Sequence, residues 1–128
     1  MVVDAGVLIE ALAIEPSGGP VGQRLSSAIT FHAPCHLCAE FTNGVRRLEL
    51  QGVIAPDRAE GAINDFLALP ITQHRFEHLL HRVWALRNDL SSYDAGYVAV
   101  AENLGEALFT TDEKLARAPG LRCPVVVV

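Results

Sequence analysis

The sequence predicts an α/β fold in three layers, with a central parallel β-sheet between two layers of helices. Short apolar runs alternate with longer segments of helical periodicity, a pattern typical of parallel strands joined by helices. The last run, PVVVV, is apolar at every position, as expected for a strand in a sheet that is covered on both faces. The 128 residues contain no long linker, so a single domain over 1–128 is expected.

The first half of the chain is divided by proline and glycine. Pro20 and Pro56 each suit the first turn of a helix, where the missing N–H costs nothing. Gly52 suits the residue that ends a helix, and the turn-rich residues 15–20 separate the first two helices. The predicted elements are strand MVVD, helix AGVLIEALA, helix 20–27, strand AITFHAP (28–34), helix 35–50 and helix 56–69.

The second half continues the alternation. Ser91 or Ser92 is expected to cap a helix that ends at Gly105, and the pair Pro119-Gly120 stops a short helix near the C-terminus. The predicted elements are strand 71–73, helix 74–88, helix 92–105, strand 107–111, helix 112–118 and strand 124–128.

Composition excludes several classes of protein. The formal net charge of −5 argues against a protein that coats nucleic acid by bulk electrostatics, although one face can still be basic. No apolar run approaches the length of about 18 residues that spans a membrane. The N-terminus lacks a basic region, and Asp4 and Glu10 interrupt its apolar stretch, which is unlike a signal peptide. A cytoplasmic protein with reduced cysteines is expected.

Four acidic residues fall where predicted strands end or predicted helices begin: Asp4, Glu40, Asp94 and Asp112. The carboxyl ends of parallel strands line one crevice, where ligands bind, so these acids are expected to face one another. Ionised carboxylates at short range repel, and a divalent cation relieves that repulsion. Mg²⁺ and Mn²⁺ prefer such oxygen ligands. The layout is typical of a metal-dependent nuclease.

Each acid also has a purely structural interpretation. Asp4 can end a strand in a turn, Asp94 can favour the positive end of its helix, Asp112 can be an N-cap, and Glu40 can lie on a surface. The joint pattern favours the site. The acids predicted to lie within helices, where a solvated face explains them, include Glu60, Asp65, Glu77 and Glu102.

At these residues the chain resembles the PIN-domain ribonucleases, and most closely the VapC-type toxins of bacterial toxin–antitoxin pairs. The segments that carry the resemblance appear in family order along nearly the whole chain: VVDAGVLIEAL, PCHLCAEFTNGVRR, LSSYDAGYVAVAENLG and ALFTTDEKLA. The resemblance implies a three-layer PIN-like fold and a Mg²⁺- or Mn²⁺-dependent endoribonuclease. A metal-activated water would attack an RNA phosphodiester.

The resemblance also assigns roles to residues. Asp4, Glu40, Asp94 and Asp112 would bind the metal, directly or through waters. Thr110 and Asn43 would orient the carboxylates, and Arg46 or Arg47 would reach the phosphate, although both arginines also suit a plain surface. A small antitoxin would insert a segment into the crevice, where its arginine would pair with the carboxylates, and the chain would form a homodimer.

One position departs from the family pattern. The family usually carries Ser or Thr two residues after the first Asp, where this chain has Gly6. A hydroxyl that would orient a water or a carboxylate is therefore missing. This departure supports an alternative, a PIN-like module that binds without cutting.

Two further groups of residues suggest other functions. Cys35 and Cys38 form a C-x-x-C sequence at a predicted helix start, which suits a thiol–disulfide redox protein; structural, reduced cysteines are the other interpretation. His74, His78 and His81 share the spacing i, i+4, i+7 and so one helix face, which suits zinc or, with apolar residues opposite, a solvated face. Tyr97 is expected in the core, Tyr93 at the crevice, and Trp84 in packing or a dimer contact.

Overall fold

The computed structural model describes residues 1–28 and 30–128. Five parallel strands form one sheet in the order β3-β2-β1-β4-β5. The strands are β1 (Val2–Val3), β2 (Phe31–Pro34), β3 (Ile71–His74), β4 (Leu108–Thr110) and β5 (Val125–Val127). The predicted α/β class with a central parallel sheet is confirmed. Ile29, within the predicted second strand, lies outside the described residues.

The helices connect successive strands and cover the sheet. They are α1 (Ala5–Ile9), α2 (Pro20–Ser26), α3 (Leu37–Leu50), α4 (Pro56–Ala68), α5 (Leu80–Ala85), α6 (Ser92–Leu104) and α7 (Glu113–Ala116). The predicted first helix is α-helical only to Ile9 and continues as a wider π-helical turn over Glu10–Ile14. Within the described residues, no helix combines the length and apolar character needed to cross a membrane.

Helix α6 is the most deeply buried helix and fixes one end of the site. Every residue from Ala95 to Ala101 is buried, and the helix packs across β1, β2 and β4. Ser91 caps its start by accepting the Asp94 N–H at 3.1 Å. Gly105 ends it with φ of +66°, a left-handed conformation that costs glycine little. The predicted bounds of this helix are confirmed, and Asp94 lies in its first turn.

Helices α1 and α3 cross closely because Gly44 has no side chain. A Cβ atom at Gly44 would overlap the Ile9 side chain. Glu40 lies one turn before Gly44 on α3, on the same side of the helix. The close crossing therefore holds Glu40 beside the carboxyl end of β1.

The predicted helix over 74–88 is wrong at its start. His74 is the last residue of β3 and pairs in register with Pro34 of β2, and the chain then forms a single 3₁₀ turn over Glu77–Leu79 before α5. His74 therefore does not share a helix face with His78 and His81. Its ring instead meets His32, with 2.9 Å between His32 Nδ1 and His74 Nε2. Pairing with β2, a contact distant in sequence, overrides the helical spacing.

Glu102 also differs from its predicted place on a solvated helix face. Its side chain is 11% exposed and binds Arg82 through two hydrogen bonds of 2.8 and 3.0 Å. The Arg122 N–H donates to the same carboxylate at 2.8 Å. This ion pair ties α6 to α5 and to the loop before β5, and it has a structural role.

Candidate active site

Three of the four predicted acids line one cleft at the carboxyl ends of the strands. Asp4 follows β1, Glu40 comes from α3, and Asp94 comes from α6. The cleft has a volume of about 320 Å³. Its lining residues are Asp4, Ala5, Gly6, Ile9, Glu40, Asn43, Arg47, Asp94 and Tyr97.

The position of Asp4 is set by strands β1 and β4, because it lies at the carboxyl end of β1 beside β4. Its N–H donates to the Phe109 carbonyl of β4 at 3.1 Å, which continues the β1–β4 ladder. Its Oδ1 accepts the Val7 N–H at 2.9 Å and so caps α1. The buried Thr110 hydroxyl also hydrogen-bonds to the carboxylate. Backbone and side-chain contacts thus fix this carboxylate at the floor of the cleft.

The charge of Asp4 is costly in this position. Burial raises the pKa of Asp4 from 3.8 to about 6, and the charges of Asp94 and Glu40 add to the rise. The hydrogen bonds from Thr110 and Val7 oppose it only in part. Burial that outweighs two hydrogen bonds is typical of a functional carboxyl group.

The pKa of Asp94 is shifted in the same direction as that of Asp4, and for the same main reason. Burial raises the pKa of Asp94, and the charge of Asp112 raises it further, while a hydrogen bond from Ser91 and the charge of His36 lower it. The first turn of α6 places the Asp94 carboxyl at the positive end of a thirteen-residue helix, which stabilises an anion there.

Glu40 is held by a residue that the sequence assigned to the core. The Tyr97 hydroxyl donates to Glu40 Oε2 at 2.6 Å, although the two residues are 57 positions apart. Burial and the neighbouring Glu40 raise the pKa of Tyr97 far above its ordinary value. Tyr97 is buried as predicted and also lines the cleft. The i, i+3 spacing from Asp94 was the signal that placed it on this side of α6.

His36 is a second neighbour that the sequence did not identify. Its Nε2 lies 3.8 Å from Glu40 Oε2 and 3.1 Å from the Tyr93 carbonyl oxygen. Its ring packs edge-on against the rings of Tyr93, Tyr97 and Phe76. A Cβ at Gly96 would stand 2.8 Å from the His36 ring, so this glycine makes room for the imidazole. His36 therefore forms one wall behind Glu40.

Asp112 lies apart from the other three acids. It is exposed, and its Oδ1 accepts the N–H groups of Lys114 and Leu115 at 2.7 and 3.4 Å. Its own N–H donates to Thr110 Oγ1 at 2.9 Å. It does not line the cleft, although its charge acts on Asp94. Asp112 is the N-cap of α7, the structural role that its position in the sequence allows.

The residues predicted to support the four acids also separate into those that line the cleft and those that do not. Asn43 and Arg47 line the cleft, whereas Arg46 does not. Tyr93 lines a separate apolar hollow of about 550 Å³ with His36, Phe76 and Trp84. The prediction that Tyr93 borders the acidic crevice is therefore not met, because Tyr93 lines this apolar hollow and not the acidic cleft. Cys35 and Cys38 are both exposed and unpaired, and neither lines the acidic cleft.

The donor set suits a hard cation, but the carboxylates do not close on a single point. Among residues 1–28 and 30–128, no three His, Cys, Asp or Glu side chains converge closely enough to hold a metal ion. Three carboxylates and one amide nevertheless face the same cleft. This arrangement fits Mg²⁺ or Mn²⁺, which keep several of their waters and bind through few direct protein ligands.

Comparison with known proteins places this geometry in a family. The model of the PIN domain matches residues 1–121. Ribonuclease VapC1 of Mycobacterium tuberculosis is 37% identical over 131 residues, covering 99% of this chain and 96% of the relative. Ribonuclease VapC3 of the same organism is 33% identical over 118 residues, covering 92% of this chain and 86% of the relative.

Solved structures share the fold at low sequence identity. PAE2754 from Pyrobaculum aerophilum superposes with a TM-score of 0.71 at 20% identity, over 97% of this chain and 81% of that one. A chain of VapBC2 from Rickettsia felis, solved bound to a DNA fragment from their promoter, gives 0.69 at 16% identity, over 97% and 96%. The family match covers nearly the whole chain and the relatives align along almost their full length, so this chain belongs to the PIN-domain family, among the VapC ribonucleases.

Proposed function

We propose that this chain is a divalent-metal-dependent endoribonuclease, the toxin of a toxin–antitoxin pair that acts in the cytoplasm. One observation carries the proposal: carboxylates from three separate segments line one cleft. Burial in this cleft disfavours the charged form of Asp4 and raises its pKa to about 6. The ribonuclease names of the relatives support the choice of RNA as substrate.

Each residue of the cleft has a task in this proposal. Asp4, Glu40 and Asp94 would hold Mg²⁺ or Mn²⁺, with Asp112 contributing through its charge or through a water. The bound ion would lower the pKa of a water and offset the charge of the phosphodiester. Tyr97 and Thr110 fix the orientation of Glu40 and Asp4 by hydrogen bonds. Asn43, which lines the cleft, would orient the carboxylates, and Arg47 would bind the RNA backbone.

Cleavage of a mixed RNA pool tests the proposal. Wild type, Asp94→Asn and the control Asp65→Asn, an exposed acid on α4, are incubated with Mn²⁺, with Mg²⁺ and with a chelator. We expect metal-dependent cuts by wild type and Asp65→Asn that Asp94→Asn loses. Cuts that survive in Asp94→Asn or in chelator would contradict the proposal, because they would come from another nuclease or another mechanism.

Absence of cutting by folded wild-type protein would favour the two alternatives. A reduction assay on a small disulfide substrate, with Cys35→Ser and Cys38→Ser as controls, tests the thiol–disulfide function. RNA binding without cleavage tests the non-catalytic module. Neither cysteine lines the acidic cleft, so the nuclease proposal requires neither thiol.

Arg47 and Arg46 provide a matched pair for the RNA contact. Both are exposed on α3, but only Arg47 lines the cleft. We expect Arg47→Ala to raise KM roughly tenfold, about the worth of one charge-assisted hydrogen bond to phosphate. Arg46→Ala should leave KM within twofold of wild type. Equal effects of the two changes would show that the contact is a diffuse charge effect.

The proposal includes two protein partners. VapBC2 from Rickettsia felis was solved as a complex, and we propose a small antitoxin for this chain, with a basic side chain that enters the acidic cleft. We further propose a homodimer. Light scattering on purified protein measures the mass, and a mass of 13.8 kDa at micromolar concentration would reject the homodimer.

A further inference from the structure

Gly6 and Thr111 are in contact beside Asp4. Gly6 lies in α1 and lines the cleft. A Cβ atom at Gly6 would stand 2.5 Å from Thr111 Oγ1 and 3.3 Å from Asp4 Oδ1. The first distance is shorter than atoms of this kind tolerate. The Thr111 hydroxyl therefore occupies the space that a side chain at position 6 would need.

Space, and not backbone conformation, requires glycine at position 6. The glycines with positive φ are Gly18, Gly52, Gly105 and Gly120, and Gly6 is not one of them. Its helical backbone accepts any residue other than proline without strain. The nearest atoms to the added Cβ belong to Thr111 and to the Asp4 carboxylate.

The strand register brings Thr111 to this point. Strand β4 lies beside β1, and the Asp4 N–H donates to the Phe109 carbonyl oxygen. Residues that follow β4 therefore lie against residues that follow β1. Thr110 turns inward and hydrogen-bonds to Asp4, and Thr111, which is exposed, comes next at the wall formed by Gly6. A threonine side chain has few alternative rotamers, which limits the positions that its hydroxyl can take.

We propose that the Thr111 hydroxyl is the positioning group beside Asp4, and that Gly6 is small because it makes room for this hydroxyl. The inference rests on the proposed nuclease function. A hydroxyl donates one hydrogen bond and accepts two. Val7 and Thr110 already hold the Asp4 carboxylate, so the group that Thr111 orients is a water next to Asp4. The hydroxyl that the sequence lacks at position 6 is thus supplied by the β4–α7 connection.

Three variants separate the hydroxyl from the bulk of the side chain. Thr111→Val keeps the shape and removes the hydroxyl. We expect it to lower kcat by roughly five- to tenfold, the worth of one hydrogen bond, with KM unchanged. Thr111→Ser restores the hydroxyl and should recover kcat to within about twofold. Thr72→Val, the same change at an exposed position of β3, is the control and should leave kcat as in wild type.

A reciprocal pair tests the geometry. Gly6→Ser alone should lower both kcat and Tm, because its Cβ displaces Thr111. The double variant Gly6→Ser/Thr111→Ala moves the hydroxyl to position 6 and removes the collision. We expect it to exceed Gly6→Ser in Tm and to exceed both Gly6→Ser and the single variant Thr111→Ala in kcat. A double variant no better than Gly6→Ser in either quantity would overturn the proposal.

Calorimetry with Mn²⁺ keeps the inference testable if wild type cuts no RNA. Thr111→Val should weaken Mn²⁺ binding by about fivefold relative to wild type and Thr72→Val, while circular dichroism shows all three folded. Equal Mn²⁺ affinity and equal kcat in Thr111→Val and wild type would overturn the role of Thr111. Absence of cleavage by wild type that binds Mn²⁺ would instead reject the proposed nuclease activity alone.

Discussion

Asp4 and Asp112 occupy equivalent places in the chain but different environments. Each follows one of two neighbouring strands, and each caps the helix that comes next. Asp4 is half-buried, and burial raises its pKa to about 6, with a smaller contribution from the charges of Asp94 and Glu40. Asp112 is exposed, and its carboxylate accepts hydrogen bonds from the first turn of the helix that it caps. The same local motif, an acid between a strand and a helix, thus has two different roles. Burial and the neighbouring carboxylates distinguish the site residue from the residue that only caps a helix.

The largest expected difference between the two acids is in activity. Asp4→Asn should lower kcat/KM by roughly 10²- to 10³-fold, the range seen when one preorganised polar group is removed from an active site. Asparagine caps a helix about as well as aspartate, so the fold should persist. Asp112→Asn should lose less, because its side chain does not line the cleft. Steady-state kinetics on a defined RNA oligonucleotide measures kcat/KM for both variants. Equal losses would show that the two acids do not differ in their contribution to activity.

The second difference is in the pH dependence of stability. The pKa of Asp4 is about 6 in the folded protein and 3.8 ordinarily, so the folded state keeps a proton that the unfolded state releases between these values. Its contribution is fully present below pH 3.8 and is lost as pH rises through about 6. The loss amounts to about 3 kcal/mol.

Urea unfolding without divalent ions, at several pH values from 4 to 7, measures this effect. The free energy of unfolding of Asp4→Asn, compared with wild type, should rise with pH by an amount of this order. A flat difference for Asp4→Asn would show that the carboxyl is not held in a raised-pKa state.

Metal binding sharpens the comparison further. A ligand that binds only the folded state stabilises it by about 2.7 kcal/mol at 100 times its Kd. We expect Mn²⁺ to raise the Tm of wild type, to leave that of Asp4→Asn unchanged, and to raise that of Asp112→Asn by a smaller amount than wild type. Ca²⁺ is a useful comparison because it prefers larger, more flexible sites. An unchanged Tm for wild type in Mn²⁺ would indicate that the cleft binds no divalent ion tightly.

The smallest expected effect concerns the cap at Asp112. Asp112→Ala removes the acceptor of the Lys114 and Leu115 N–H groups and should cost about 1 kcal/mol of unfolding free energy, whereas Asp112→Asn should cost little. Thermal unfolding in a chelator measures the difference. Equal stability of the alanine and asparagine variants would mean that α7 does not depend on its cap.

The sequence predicted the sheet and the three acids of the cleft because both depend on local signals. Short apolar runs bounded by proline and glycine mark the strands. Asp4 directly follows a strand, and Glu40 and Asp94 lie in the first turns of helices, so all three are expected at the carboxyl edge of the sheet. The bounds of α6 were predicted for the same reason, since Ser91 and Gly105 are its local start and stop signals.

The remainder depends on contacts between distant residues. The Tyr97–Glu40 hydrogen bond joins residues 57 positions apart, and no local pattern indicates which acid a buried tyrosine will meet. The contact of Thr111 with Gly6 depends on the register of β4 against β1. His74 was assigned to a helix because its spacing to His78 is helical, while its pairing with β2 is invisible in the local sequence.

The missing side chain at Gly44 has a consequence for how mutational scans of this protein should be interpreted. A methyl group there would overlap the end of the Ile9 side chain. Where that side chain cannot rotate away, α3 would shift as a rigid body, and Glu40, one turn away, would shift with it. The width of the cleft therefore depends on the apolar contact between Gly44 and Ile9, which has no chemical role. An inactive variant at this position would look like a folding defect, although it would report a change in the spacing of the carboxylates.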